Sequence, residues 1–185
     1  MKLRPEELKN RAEEAGVSIE QLAAAIERTG TSGKNAEKAV RNWISGKDHP
    51  RCKRADIEAL ADAVGCRVTD IARFVSRVNH HRGSPKKAKL VVDLVRGRNA
   101  DEASDLLAFS TKRAAVNVRK ALEAARADAE EAGADRDSLI VAESRIDEGP
   151  HIKRFRPKDR GRAHPILKRT SHITIGLQER PGAGF

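Results

Sequence analysis

The sequence predicts an α+β chain in two parts. An all-helical part covers residues 1–78, and a second part, 79–185, carries three helices followed by strands that bear a long extended hairpin. Three observations support this. Apolar residues recur at helical spacing up to about residue 78, in short runs closed by glycine. The same spacing returns after Ser84 and lasts to Gly133. From Leu139 the period becomes two, in two stretches that frame a basic segment of 22 residues, 148–169.

In the first part, residues 4–15 form an amphipathic helix that Gly16 ends. "SIEQLAAAI" opens a second helix with Ser18 and Gln21 in capping-box positions, where each side chain can bond a backbone N–H of the other. Its apolar face is Ile19, Leu22, Ala23 and Ile26. "ERTGTSGKN" breaks the helix. Ala36, Ala39, Val40, Trp43 and Ile44 then mark a third, with Ser32 or Asn35 as its cap, Trp43 in the core and Gly46 at its end. Ile57, Leu60, Ala61 and Val64 mark a fourth, closed by Gly65, and a fifth is expected over 69–75. "VNHHRGS" has turn formers without apolar periodicity and is expected to be a junction.

In the second part, Ser84-Pro85 reads as a cap followed by proline at the first helical position, where a missing N–H costs nothing. Leu90, Val91, Leu94 and Val95 are its expected buried stripe, and Gly97 its end. A short helix is expected over 101–107. Thr111 is the expected cap of a longer one with the stripe Ala115, Val118, Leu122, Ala125 and Ala129, terminated by Gly133. In the strands, Ile140, Ala142 and Ile146 are expected on one face of the first, and Ile173, Ile175 and Leu177 on one face of the second. Antiparallel pairing of the two would turn 148–169 into a hairpin arm, with about 11 residues per side and a reach of roughly 35 Å.

The arm contains Lys153, Arg154, Arg156, Lys158, Arg160, Arg162, Lys168 and Arg169 against only Glu148 and Asp159. Its net charge of +6 is more than half of the chain's +10. Charge runs are ordinarily solvated faces or tails. This one is internal, held at both ends by strands and stiffened by Pro150, Pro157 and Pro165. A lone polar hairpin is unstable in water, but phosphates would supply its counter-charge, and the arginine fork binds phosphate bidentately. Nucleic acid is therefore the expected partner. RNA is favoured over DNA, because a thin arm suits irregular RNA clefts and lacks a helix for the B-form major groove. His164 could stack on a base.

Other classes fit poorly. No apolar run is long enough to span a membrane, and no helix combines a basic face with large apolar anchors. The acidic residues of "MKLRPEELKNRAEEAGV" suit neither a signal nor a transit peptide, so a cytoplasmic protein is expected. Cys52 and Cys66 are expected as reduced thiols. With His80 and His81 they lack paired metal-ligand spacing, so no metal is expected. There is no phosphate-binding glycine loop and no nucleophile–base motif, so no enzyme, cofactor or small-molecule substrate is expected.

Four segments carry a resemblance: "SPKKAKLVVDLVRGRNADEA", "FSTKRAAVNVRKALEAA", "VAESRIDEGPHIKRFRPKDRGRA" and "LKRTSHITI". In order and spacing they resemble the universal large-subunit ribosomal protein L-twenty-two family over about residues 80–179. The resemblance implies three helices on a three-stranded antiparallel sheet, with a strand just before Ser84 at "VNHHRG", and a hairpin that enters the rRNA core. It implies a structural, non-enzymatic protein that binds large-subunit rRNA, aids assembly and touches neighbouring ribosomal proteins. Beside the arm bases, the implied rRNA contacts are Ser84, Lys86, Lys87, Lys89, Arg96, Arg98, Lys112, Arg113, Arg119, Thr170, Ser171 and His172, the last bonding where hairpin meets body. The tip, Lys158, Asp159, Arg160, Gly161, Arg162 and Ala163, would line the polypeptide exit tunnel beside the nascent peptide. The chain departs from the family at Lys112, where many members have proline, and at Pro165, where a basic residue is usual. Asp159 puts an acid at the tip, and calls for a base such as Arg160 beside it or for a place facing the tunnel.

Residues 1–78 lie outside that resemblance. Their layout is similar to phage-repressor-like helix-turn-helix domains, but 20 residues separate Ala23 from Trp43, too many for that compact turn. Fifteen bases against twelve acids leave only +3, whereas a DNA reader shows a stronger basic stripe. The expectation is a ribosomal expansion with rRNA contacts at Lys34, Lys38, Arg41, Arg51, Lys53 and Arg54. The alternative is a DNA-binding regulator with a basic anchoring tail.

Overall fold

The computed structural model describes residues 1–26 and 33–180. Ser32, one of the two expected caps, lies outside them. The chain divides into two compact units, Met1–Phe74 with Glu131–Ala134, and Val75–Glu130 with Asp135–Phe185.

The first unit contains α1 (Pro5–Ala15), α2 (Ile19–Ala24), α3 (Lys34–Ile44), α4 (Arg54–Val64) and α5 (Val68–Ile71). Local chemistry sets their ends. Ser18 Oγ accepts from Gln21 N at 3.3 Å while Gln21 Oε1 accepts from Ser18 N at 2.8 Å, the reciprocal cap expected for α2. Gly16 and Gly65 adopt the left-handed conformation that closes α1 and α4. Asn35 is not a cap, since α3 already contains it and Gly33 precedes the helix. Leu8, Leu22, Val40, Trp43, Ile57 and Leu60 fill the core. The Trp43 indole N–H donates to the Pro50 carbonyl at 2.6 Å, so its one polar atom is satisfied.

The fifth helix is shorter than expected. It ends at Ile71, and β2 (Ala72–Arg82) starts at once, with Ala72 and Phe74 buried and Arg73 between them half-exposed. That alternation, with β-branched and aromatic residues, favours a strand over a continued helix. β1 (Lys2–Leu3) pairs with its first residues, Lys2 opposite Arg73 and Leu3 opposite Ala72. The expected junction at "VNHHRGS" is also corrected, because Val78–Arg82 completes this strand. The weak strand propensity of Asn79, His80 and His81 is overridden by their place beside a central strand.

The second unit adds α6 (Pro85–Val95), α7 (Ala100–Phe109), α8 (Arg113–Glu131), β3 (Leu139–Glu148), β4 (Ile152–Pro157), β5 (Ala163–Lys168) and β6 (Thr170–Glu179). In the sheet, β6 lies between β2 and β3. β3 and β6 are antiparallel from Leu139 opposite Glu179 to Glu148 opposite Ser171. Ile173, Ile175 and Leu177 share the fully buried face, as expected. In β3 the core side is Leu139 and Val141, not Ile140 and Ala142. A bulge between Val141 and Glu143 shifts the register. It moves Ile146 to the face of Val141, because one extra residue reverses the alternation. The turn after α6 contributes here, with Gly97 N donating to Val141 O and Val141 N to Arg98 O, both at 2.9 Å.

α6 turns Val91 and Val95 inward as expected, but not the two leucines. Ala88, Val91, Val92 and Val95 are buried, whereas Leu90 is 62% and Leu94 40% exposed. Both sets fit helical spacing and differ by one position. α7 runs further than expected, starting after Asn99, whose side chain accepts from Asp101 N at 3.2 Å. α8 begins at Arg113, so Lys112 rather than Thr111 stands just before the helix. Its stripe of Ala115, Val118, Leu122, Ala125 and Ala129 is buried as expected. Among the described residues, no helix is long and apolar enough to cross a membrane.

Candidate nucleic-acid interface

The arm leaves the sheet where β3 ends and β6 begins. At its root, Gly149 N donates to Thr170 O at 2.9 Å and Thr170 Oγ1 donates to Pro150 O at 2.7 Å. His151 Nε2 and Glu148 Oε1 lie 2.9 Å apart. His172 accepts a bond from His80 N at 3.3 Å through Nδ1, and the two rings meet edge to face at 4.7 Å. His172 is thus a hydrogen bonder at the root, as the sequence suggested. Thr170 and Ser171 are corrected. At 4% and 0% exposure their side chains are buried in the protein rather than offered at its surface.

Beyond the root, β4 and β5 pair with each other from Ile152 opposite Lys168 to Pro157 opposite Ala163. This ladder of six residues per strand spans roughly 20 Å. It is shorter than 11 per side because Gly149, Pro150 and Arg169 belong to the root and 158–162 to the tip. From Lys153 to Arg169 every residue is exposed, so neither face of the arm has protein against it. None of its eight bases forms an ion pair among the described residues, and each is free to meet an external anion.

The tip is a tight turn. Lys158 N donates to Arg162 O at 2.7 Å and Arg162 N to Asp159 O at 3.2 Å. Arg160 and Gly161 both adopt positive φ, 54° and 70°. For Arg160 this costs about 1–2 kcal/mol, and it throws a guanidinium outward at the end of the arm. Asp159 has no ion pair among the described residues, so Arg160 does not neutralise it within the chain.

A cleft of about 460 Å³ opens on the second unit, lined by Arg82, Gly83, Ser84, Arg113, Leu167, Lys168 and Arg169. Four cations and no acid converge there. The sequence pointed to Ser84, Arg113, Lys168 and Arg169 but missed Arg82, which is exposed at the last position of β2. Its placement follows from β2 running up to the Gly83 turn. Behind it, burial and then the Arg113 charge push the His81 imidazole below its ordinary value. The ring meets the Asn117 amide through Nδ1 at 2.5 Å.

The remaining expected contacts divide. Lys86, Lys87, Lys89, Lys112 and Arg119 are exposed, although Arg119 pairs with Glu123 at 3.2 Å. Arg96 is committed to the fold. Its Nε donates to Ser144 Oγ at 3.0 Å, its Nη2 to Ser144 O at 2.8 Å, and Asp93 lies 3.0 Å away. Arg98 Nε donates to Leu94 O at 2.9 Å. In the first unit, Lys34, Lys38 and Arg41 share the exposed face of α3, with Arg41 4.0 Å from Glu37. Arg51 and Lys53 are exposed just before α4. Arg54 is occupied by Glu58 and Glu131, each at 2.8 Å.

Neither Cys52 nor Cys66 is in a disulfide, and burial, with the Asp70 charge, pushes the Cys66 thiol up, away from reactivity. No group of three or more metal-ligating side chains is gathered among the described residues. The model of the family described as ribosomal protein L22p/L17e matches residues 76–178, more than half of the chain, and those residues contain β3, most of β2 and β6, the cleft and the whole arm.

Proposed function

The chain belongs to the ribosomal protein L22p/L17e family, which makes it a protein of the large ribosomal subunit, and we propose that it binds large-subunit rRNA through its arm and the basic cleft. The observation that carries this reading is the arm itself. It presents eight bases without an ion pair among the described residues, Lys153, Arg154, Arg156 and Lys168 on the exposed ladder and the others at its tip and root. Phosphates from converging RNA segments would neutralise these bases and release condensed counterions. Arg82, Arg113, Lys168 and Arg169 would grip the backbone at the root. The stiff tip would reach furthest into the RNA and line the exit tunnel, with Asp159 toward the tunnel and Arg160 toward phosphate. The role is structural and assembly-promoting, without catalytic chemistry. For the first unit, Lys34, Lys38 and Arg41 on α3 are proposed as additional contacts to rRNA or to a neighbouring ribosomal protein.

Ultraviolet crosslinking of assembled large subunits, read by mass spectrometry, tests this. Nucleotide adducts are expected on peptides from 152–169. Adducts elsewhere on the chain with none in that segment would contradict the reading.

A further inference from the structure

The ladder register sorts the arm into two chemically different faces. Directly opposed residues of an antiparallel pair point the same way, and neighbours along a strand point opposite ways. Arg154 is opposite Ile166 and Arg156 is opposite His164, so both arginines share one face with His164. Phe155 is opposite Pro165, on the other face. Pro157 opposite Ala163 flanks it on one side, and Lys153 opposite Leu167 on the other. Within the ladder, that second face carries a single charge.

Phe155 is 76% and Leu167 48% exposed. The chain has only four Phe and one Trp; Trp43 and Phe74 are fully buried, whereas Phe109, outside the arm, is exposed like Phe155. An aromatic ring displayed on an exposed ladder, next to a flat proline and back to back with a cationic face, has the chemistry of a nucleobase platform. Every base presents a π-face, and RNA clefts contain bases splayed out of helices. An apolar protein partner would require the narrow arm to be covered by protein along the same few residues whose reverse side meets phosphate.

Resting on the rRNA-binding reading above, we propose that Phe155, backed by Pro165, stacks on an unpaired rRNA base while Arg154 and Arg156 on the opposite face hold phosphates. The arm then reads RNA from two sides, one ionic and one stacking.

The test titrates the full-length protein against transcribed large-subunit rRNA at several salt concentrations, reading affinity and salt slope together. Phe155→Ala is expected to weaken binding about tenfold or more with the slope unchanged, because no counterion is involved. Phe155→Trp is expected to retain affinity, and Phe155→Leu to resemble the alanine variant. Arg154→Gln with Arg156→Gln is expected to flatten the slope by between one and two. All these side chains are exposed, so the fold is not at stake. Unchanged affinity in Phe155→Ala would overturn the proposal and point the apolar face toward protein. Full affinity in Phe155→Leu would overturn stacking in favour of a plain apolar contact. Failure of the unsubstituted protein to bind rRNA would overturn the underlying reading instead, an outcome the variants cannot mimic.

Discussion

Gly149 and Thr170 clasp the root of the arm, with the Gly149 N–H on the Thr170 carbonyl at 2.9 Å and no space for a side chain between them. A Cβ at residue 149 would fall 2.5 Å from Thr170 Oγ1 and 3.3 Å from the Thr170 carbonyl carbon. Gly149→Ala is therefore expected to destabilise the second unit by about 1–3 kcal/mol through overpacking. Thr170→Ala removes the nearer obstacle and also the bond to Pro150. The double variant is expected to be more stable than the sum of the single losses, and thermal unfolding of the four proteins in a double-mutant cycle measures that coupling.

Among the described residues, the arm is joined to the sheet through this root. β4 and β5 pair with each other alone and are exposed on both faces, and isolated two-stranded hairpins are marginal in water. Without RNA, amides of 152–168 are expected to exchange with solvent orders of magnitude faster than those of β6, whose residues 173–177 are buried. Hydrogen exchange followed by mass spectrometry measures the difference, and RNA is expected to abolish it.

Arg96 is proposed to act mainly through the fold. Its guanidinium binds both the hydroxyl and the carbonyl of Ser144, a fork that lysine cannot reproduce. Arg96→Lys is expected to cost about 1 kcal/mol of stability while leaving the salt dependence of rRNA binding unchanged. Chemical denaturation and the salt slope together check this. A flattened slope would make Arg96 an RNA contact after all.

His81 makes the second unit sensitive to acid. Burial and Arg113 hold its folded value below the ordinary one, so the unfolded chain binds the proton more readily. Stability is therefore full above the unfolded value of about 6.5 and declines as the pH falls from there toward the lower folded value. Protonation also places an N–H at Nδ1 against the Asn117 amide. His81→Gln is expected to show a smaller loss of melting temperature than the unsubstituted protein between pH 7.5 and 5.5.

Much of this architecture was legible because local chemistry and global packing agree. The Ser18–Gln21 cap, the Ala115–Ala129 stripe and the Ile173–Leu177 face each have one reading and the structure adopts it. The misses are places where two readings compete. On α6 the leucines and the valines each make a helical stripe one position apart, and only the sheet they pack against decides. The β3 alternation looked continuous through Ile146, and the bulge at Ala142 adjoins Val141, which bonds to Gly97 and Arg98, a turn far back in the chain. Residues 78–82 are poor strand formers held in place by a neighbouring strand. In the site, the arm's charge was plain from composition, and its two faces needed the register. Thr170 and Ser171 looked like polar contacts, since polarity alone does not show that a residue points inward. Arg82 was missed for the same reason as its strand.

The central claim is that the arm holds the protein on large-subunit rRNA. The most direct test is sucrose-gradient fractionation after a high-salt wash, comparing the full chain with a variant whose residues 152–168 are replaced by a short glycine-serine turn. The full chain is expected to stay with large subunits and the variant to be washed off into the light fractions. Equal retention of both through the wash would contradict it.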